Sequence, residues 1–169
     1  MRLLFLTLLA LLCLPASAGQ LSGLVTGVAD GDSLYVLDAE KREHEIRLLG
    51  IDAPEHGQPY GDAAKQSLKR LVHQQSVRVE WQKRDQYGRL LGKLTTASGD
   101  DAALHQLKSG LAWWNRKYAH DQSSEDAVRY REAEFAARKK RAGLWSDNNP
   151  VPPWRWRYAK RQQADKVWP

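Results

Sequence analysis

Residues 47–55 read RLLGIDAPE. Arg47, Leu48, Leu49 and Ile51 have the composition of the end of a buried β-strand. Asp52 and Glu55 then crowd the exit, with Pro54 between them. Charge is costly to bring toward a core unless it is paired, so a strand that ends in an arginine and two carboxylates calls for partners from elsewhere in the chain. Two other stretches offer them: ADGDSLYV at residues 29–36 and DQYGRLLGKL at residues 85–94.

Upstream of this stretch, Leu21–Val28 reads as a first strand and Leu34–Leu37 as a second, entered through the turn signal Asp30-Gly31-Asp32. A polar connection over Asp38–Glu43 leads into a third strand over Glu45–Ile51, which completes a meander. Downstream, Ala64, Leu68, Leu71 and Val72 fall on one face of a helix. Val77, Val79 and Trp81 alternate as a fourth strand, and Leu90–Thr95 forms a fifth. A short helix places Leu104, Leu107 and Leu111 on one side, with Gly110 near its end. A last helix starts after Ser123 or Ser124 as N-cap, has Glu125 and Asp126 in its first turn, and runs to about Arg141 before Gly143. This order predicts an α+β fold, a five-stranded closed barrel of OB type with three helices.

The two ends of the chain are of different material. Residues 1–18, MRLLFLTLLALLCLPASA, join a positive Arg2 to an apolar run too short to span a bilayer comfortably, followed by a small-residue site. They read as a secretory signal cut between Ala18 and Gly19, which predicts a periplasmic or extracellular protein without stable membrane insertion. Cys13 leaves with that leader, so no disulfide stabilises the remainder. Residues 19–147 read as the barrel domain. Residues 148–169 are a Pro-, Trp- and Arg-rich tail, docked by its tryptophans or mobile, in which Trp154-Arg155-Trp156-Arg157 also fits stacking on nucleic acid. Lys and Arg number 26 against 20 Asp and Glu, a formal charge of +6, which suits a polyanionic partner such as nucleic acid.

If the second and third strands are neighbours, Asp30 and Asp32 approach Asp52 and Glu55. Clustered carboxylates repel, and a hard cation is the natural agent to hold them. With no surviving cysteine and no ligand spacing among His44, His56, His73, His105 and His120, an oxygen-bound Ca²⁺ or Mg²⁺ suits better than zinc. Arg47 and Arg89 supply planar, permanently charged forks that match phosphate oxygens. Taken one at a time, each of these residues reads equally well as a solvated turn or surface charge, and Arg138 on the last helix reads as an ordinary surface arginine. Trp113, Trp114 and Trp145 read as packing residues.

The stretches ADGDSLYV, RLLGIDAPE, DQYGRLLGKL, SGLAWW and EAEFAARKKRAGLW occur in an order and spacing that resembles the staphylococcal nuclease (thermonuclease) family, from about Leu21 to Trp145. The resemblance implies an OB-fold barrel with three helices and a Ca²⁺-dependent nuclease that cuts the 5′ P–O bond of DNA and RNA and leaves 3′-phosphates. It implies Asp32, Asp52 and the main-chain carbonyl of Ala53 as calcium ligands, and Arg47 and Arg89 as catalytic arginines. It implies Glu55 as the carboxylate that activates or orients water, and Tyr87 and Tyr118 as walls of the nucleotide pocket. Two positions depart from the best-known member: Gln86 replaces a lysine and Arg116 a tyrosine, which bears on binding preference and leaves the reaction intact. The expected substrate is single-stranded or frayed duplex DNA or RNA, and the expected state is a monomer. Two other classes fit the same features: a nucleic-acid-binding OB module without catalysis, and a cell-surface interaction protein that uses the tail.

Overall fold

The computed structural model describes residues 19–167; the leader assigned to residues 1–18 lies outside the described residues. Five strands close a barrel: β1 (Gly19–Val28), β2 (Ser33–Leu37), β3 (Glu43–Leu48), β5 (Ser76–Arg84) and β6 (Leu90–Thr96), in spatial order β1-β2-β3-β6-β5. All neighbours are antiparallel except β3 and β6. The alternation read for the fourth strand holds at Val77 and Val79, with Trp81 partly buried, and Val25, Leu34, Val36, Ile46, Leu48 and Leu94 also fill the interior. Closure removes the free strand edges that an open five-stranded sheet would present.

Three helices cover the barrel as expected. Helix α1 (Gly61–Val72) turns Ala64, Leu68 and Val72 inward, and α2 (Ala102–Lys108) does the same with Leu104 and Leu107. Helix α3 (Ser124–Lys139) starts at Ser123, whose Oγ accepts the Asp126 amide at 3.0 Å. Asp101 joins two of these helices: it accepts from the Leu104 amide as the cap of α2, and its carboxylate accepts the Tyr130 hydroxyl of α3 at 2.8 and 2.9 Å.

One reading is corrected. The third strand does not run to Ile51. It ends at Leu48, Gly50 adopts φ +81° to reverse the chain, and Ile51–Asp52 form a separate short strand, β4, paired with β7 (Trp113–Trp114). The apolar run hid a turn that only glycine takes without strain. The tail, read from sequence as either docked or mobile, carries regular structure. After Pro150 and Pro152 it forms a fourth helix, α4 (Pro153–Val167), with proline at its first position, where the missing N–H costs nothing.

The connection after β2 carries a stability switch remote from the barrel mouth. Asp38 is almost fully buried, takes His44 Nε2 at 2.8 Å and Arg42 Nε at 2.9 Å, and caps the Arg42 amide. These contacts, the His44 bond first, lower its pKa from 3.8 to about 2. A carboxyl lowered in the folded state stabilises above its unfolded pKa and loses that contribution as pH falls through the folded one. Asp38→Asn is therefore expected to melt below the wild type at neutral pH. The gap should close between pH 3.8 and about 2, as followed by circular dichroism; a gap that stays constant across that window contradicts it.

Candidate active site

The site is built where three turns meet at one barrel mouth. The β1–β2 turn is the first. Asp32 donates its amide to Asp30 Oδ1 at 2.9 Å, and its carbonyl takes the Leu48 amide at 2.8 Å, which locks the turn to the end of β3. Gly31 has no room for a side chain: a Cβ would stand 2.6 Å from Ala64 Cβ and 2.7 Å from Ala53 Cβ. The wholly buried Gln106 holds this turn from below, donating to the carbonyls of Gly31 and Ala64 at 2.7 and 2.8 Å. Sequence reading missed Gln106, because one glutamine on an apolar helix face carries no pattern.

The second turn is residues 49–55. The pairing of β4 with β7 places Asp52 beside Trp113. Glu55 follows in the loop before α1, where its amide donates to Gln58 Oε1 at 3.0 Å. Gly61 packs so closely that a Cβ would lie 2.1 Å from the Glu55 carbonyl, so α1 begins directly against this loop.

Register brings the charges together. Ser33 pairs with Arg47 across β2 and β3. From that position Arg47 bridges the two aspartates: Nη1 pairs with Asp32 Oδ1, and Nη2 lies 2.7 Å from Asp52 Oδ1. Asp32 also accepts the Ala53 amide at 2.6 Å and the Ser33 hydroxyl at 3.1 Å. Asp32 and Asp52 are each 1% exposed, so their charges depend on these partners.

The third turn joins β5 to β6 and delivers Arg89. Asp85 grips Arg89 Nε at 2.7 Å and also takes the Tyr87 and Arg89 amides. Burial raises the Asp85 pKa, but the Arg89 bond and the two amides outweigh it and leave the carboxyl below its ordinary value. So clamped, Arg89 reaches Ser33 Oγ at 3.5 Å with Nη1, beside the Asp32 carboxylate that Ser33 donates to. Tyr87 lies under this guanidinium at 5.4 Å and is itself exposed.

The sequence-selected residues Asp32, Arg47, Asp52, Ala53, Glu55 and Arg89 thus gather at one mouth, while the two tyrosines separate. Tyr118 sits in the 3-10 turn Arg116–Asp121 and lines a cavity of about 840 Å³ that Asp52, Trp113, Trp114 and Trp154 also line; Tyr87 and Arg89 do not line it. His56 faces Asp62 at 3.8 Å, and both are exposed. Arg138 is not the plain surface arginine it resembled: it stacks over Trp145 at 3.8 Å and pairs with the buried Glu134.

The largest addition to the sequence reading comes from the tail. Arg157 of α4 donates to Asp52 Oδ1 and Oδ2 at 3.1 and 2.8 Å and to Glu55 Oε1 at 2.5 Å. These bonds, the Asp52 ones first, hold its guanidinium more firmly protonated than usual. A contact between positions 105 residues apart leaves no local signal.

Among the described residues no three His, Cys, Asp or Glu side chains converge as a ready cation cage. The donors at hand are nevertheless all oxygen: two buried carboxylates joined through one guanidinium, with Glu55 beside them. An all-oxygen set of this kind suits a hard divalent cation better than zinc. Two forked guanidinium groups next to clustered carboxylates can grip a phosphodiester and act on the proton of an attacking water.

Comparison with known proteins points to one family. The family described as staphylococcal nuclease homologue matches residues 45–147. An uncharacterized endonuclease of Escherichia coli O157:H7 is 38% identical over 146 residues, covering 86% of this chain and 91% of that protein. A micrococcal nuclease of Shigella flexneri is 37% identical over 151 residues, 85% and 84% of the two chains. An uncharacterized endonuclease of Haemophilus influenzae is 36% identical over 133 residues, covering 79% of this chain and 71% of that protein.

Proposed function

The chain belongs to the staphylococcal nuclease family and is a nuclease; from that premise we propose that it is a secreted, calcium-dependent enzyme that hydrolyses DNA and RNA to 3′-phosphate products. The observation that carries the reading is the meeting of Arg47, Arg89, Asp32, Asp52 and Glu55 at one barrel mouth. The leader over residues 1–18, with cleavage after Ala18, supports delivery to the periplasm or the medium.

Each residue has a task that its position allows. Arg47 and Arg89 bind non-bridging phosphate oxygens and oppose the charge that grows on them as the fifth bond to phosphorus forms. Glu55 accepts a proton from the attacking water. The water oxygen bonds to phosphorus, the bond to the 5′-oxygen breaks, and that oxygen leaves as the alcohol after taking a proton from solvent, while Glu55 later returns its own proton to solvent. Asp32, Asp52 and the Ala53 carbonyl are the groups that would hold Ca²⁺, which when bound supplies positive charge beside the scissile phosphate. Tyr87 and Tyr118 contact the nucleosides that flank it. Barrels of OB type bind unpaired strands on their open face, so single-stranded or frayed duplex nucleic acid is the proposed substrate form, with a monomer as the proposed acting species.

The chemistry of the cut ends tests this reading. Digestion of a single-stranded oligonucleotide, followed by mass spectrometry, should give fragments with 3′-phosphate and 5′-hydroxyl ends. Fragments with 5′-phosphates would show that the other P–O bond breaks and would overturn the assignment of Arg47, Glu55 and Arg89.

A further inference from the structure

The tail helix places a cation of its own among the carboxylates. Arg157 takes both oxygens of Asp52 and one of Glu55. It lies beyond residue 147, where the family match ends. We propose that Arg157 is a resident counter-ion of the divalent-cation site, and that α4 is a strap whose docking and cation binding exclude one another. The proposal rests on the calcium site named above.

First, the acceptor sites are crowded: Asp52 Oδ1 already accepts from both Arg47 and Arg157, and Oδ2 accepts from Arg157, so a divalent cation held by Asp52 competes with Arg157 for the same oxygens. Second, the charges count against joint occupancy. Asp32, Asp52 and Glu55 face two guanidinium groups, those of Arg47 and Arg157. A divalent cation added to both would turn a near-neutral cluster positive. Third, the rest of the strap is lightly held. Gln58 Nε2 donates to the Val151 carbonyl at 2.6 Å, and Trp154 meets Trp113 edge-on at 6.3 Å. Trp154 and Tyr158 are 45% and 61% exposed, while Pro153 is buried and Trp156 partly so, and the apolar burial that opposes release is modest among the described residues. Pro152, Trp154 and Arg157 also form one wall of the 840 Å³ cavity beside Asp52. Displacing Arg157 therefore frees the carboxylates and loosens that wall together, and substrate entry follows cation binding.

The test is calcium binding without substrate. Calorimetric titration of Arg157→Ala is expected to show affinity about 10- to 100-fold tighter than the wild type, the range of a hydrogen-bonded charged pair. Arg155→Ala removes the same charge from the same helix without touching the carboxylates, and should stay within about twofold. Arg157→Lys, which retains charge but not the fork, should fall between and carries the test if Arg157→Ala is unstable. Hydrogen exchange of the α4 amides should speed up when calcium is added to the wild type and should already be fast in calcium-free Arg157→Ala. Equal affinities for Arg157→Ala and the wild type, with hydrolysis still cation-dependent, overturn the strap and leave the nuclease reading standing. No calcium binding by either protein, with hydrolysis persisting in chelator, overturns the cation site and the strap with it.

Discussion

Arg89→Lys is expected to lower kcat about 10²–10³-fold, the usual cost of removing one oriented donor from a charged transition state, while KM changes far less. The structure shows why charge alone is not enough. Asp85 holds Nε of Arg89 at 2.7 Å, so one edge of the guanidinium is used for positioning. The other edge reaches past Ser33 Oγ, at 3.5 Å, toward the carboxylate cluster. An ammonium has one nitrogen and cannot hold Asp85 and a phosphoryl oxygen in the same fixed geometry. Its positive field still attracts substrate, so the loss should appear in the chemical step. Arg47→Lys should lose in binding as well, since Arg47 also bridges Asp32 and Asp52. The matched control must avoid Arg138, which stacks on Trp145. Arg131 is exposed on α3, and Arg131→Lys should leave both constants unchanged. Steady-state hydrolysis at saturating Ca²⁺, with circular dichroism to establish folding, reads all three. A folded Arg89→Lys enzyme with wild-type kcat removes Arg89 from the mechanism.

Asp52→Asn is expected to reduce hydrolysis by about 10²-fold or more. Groups that merely support a metal ligand commonly cost 10- to 100-fold, and Asp52 is assigned as a ligand itself. The substitution keeps the shape of the side chain, and β4 is held to β7 by backbone pairing, so the fold should persist. Arg47 retains Asp32, and Arg157, whose side chain is 39% exposed, can turn to solvent. Calcium affinity should fall together with activity. Loss of activity at unchanged calcium affinity would move Asp52 from the cation site to a purely organising role for Arg47.

Much of this was legible because barrel strands and amphipathic helices write their burial into residue periodicity. The alternation of Val77 and Val79, and the spacing of Ala64, Leu68 and Val72, are direct records of which side faces the core. The cap at Ser123 was legible for the same reason: its chemistry is local. The candidate site residues were selected through a resemblance spread over several motifs. The end of β3 was not legible, because Leu48, Leu49 and Ile51 continue an apolar pattern through a turn that Gly50 alone makes possible. Nor were the β4–β7 pair, the Gln106 support under Gly31, or the seat of Arg157. Each depends on a partner distant in sequence: Asp52 with Trp113, Gln106 with Gly31, Arg157 with Asp52. Helix α4 was hidden by composition, since the prolines that mark a tail also start a helix at Pro153.

The central claim is that the carboxylates and arginines at this barrel mouth form a working, cation-dependent catalytic centre. Hydrolysis of single-stranded DNA by the purified protein, with Ca²⁺ and then with excess chelator, tests it most directly. The account predicts turnover with Ca²⁺, its loss in chelator, and its return when Ca²⁺ is restored. DNA binding without turnover at any calcium concentration would contradict it and mark the barrel as a binding module, and full activity in chelator would contradict the cation's part in the chemistry.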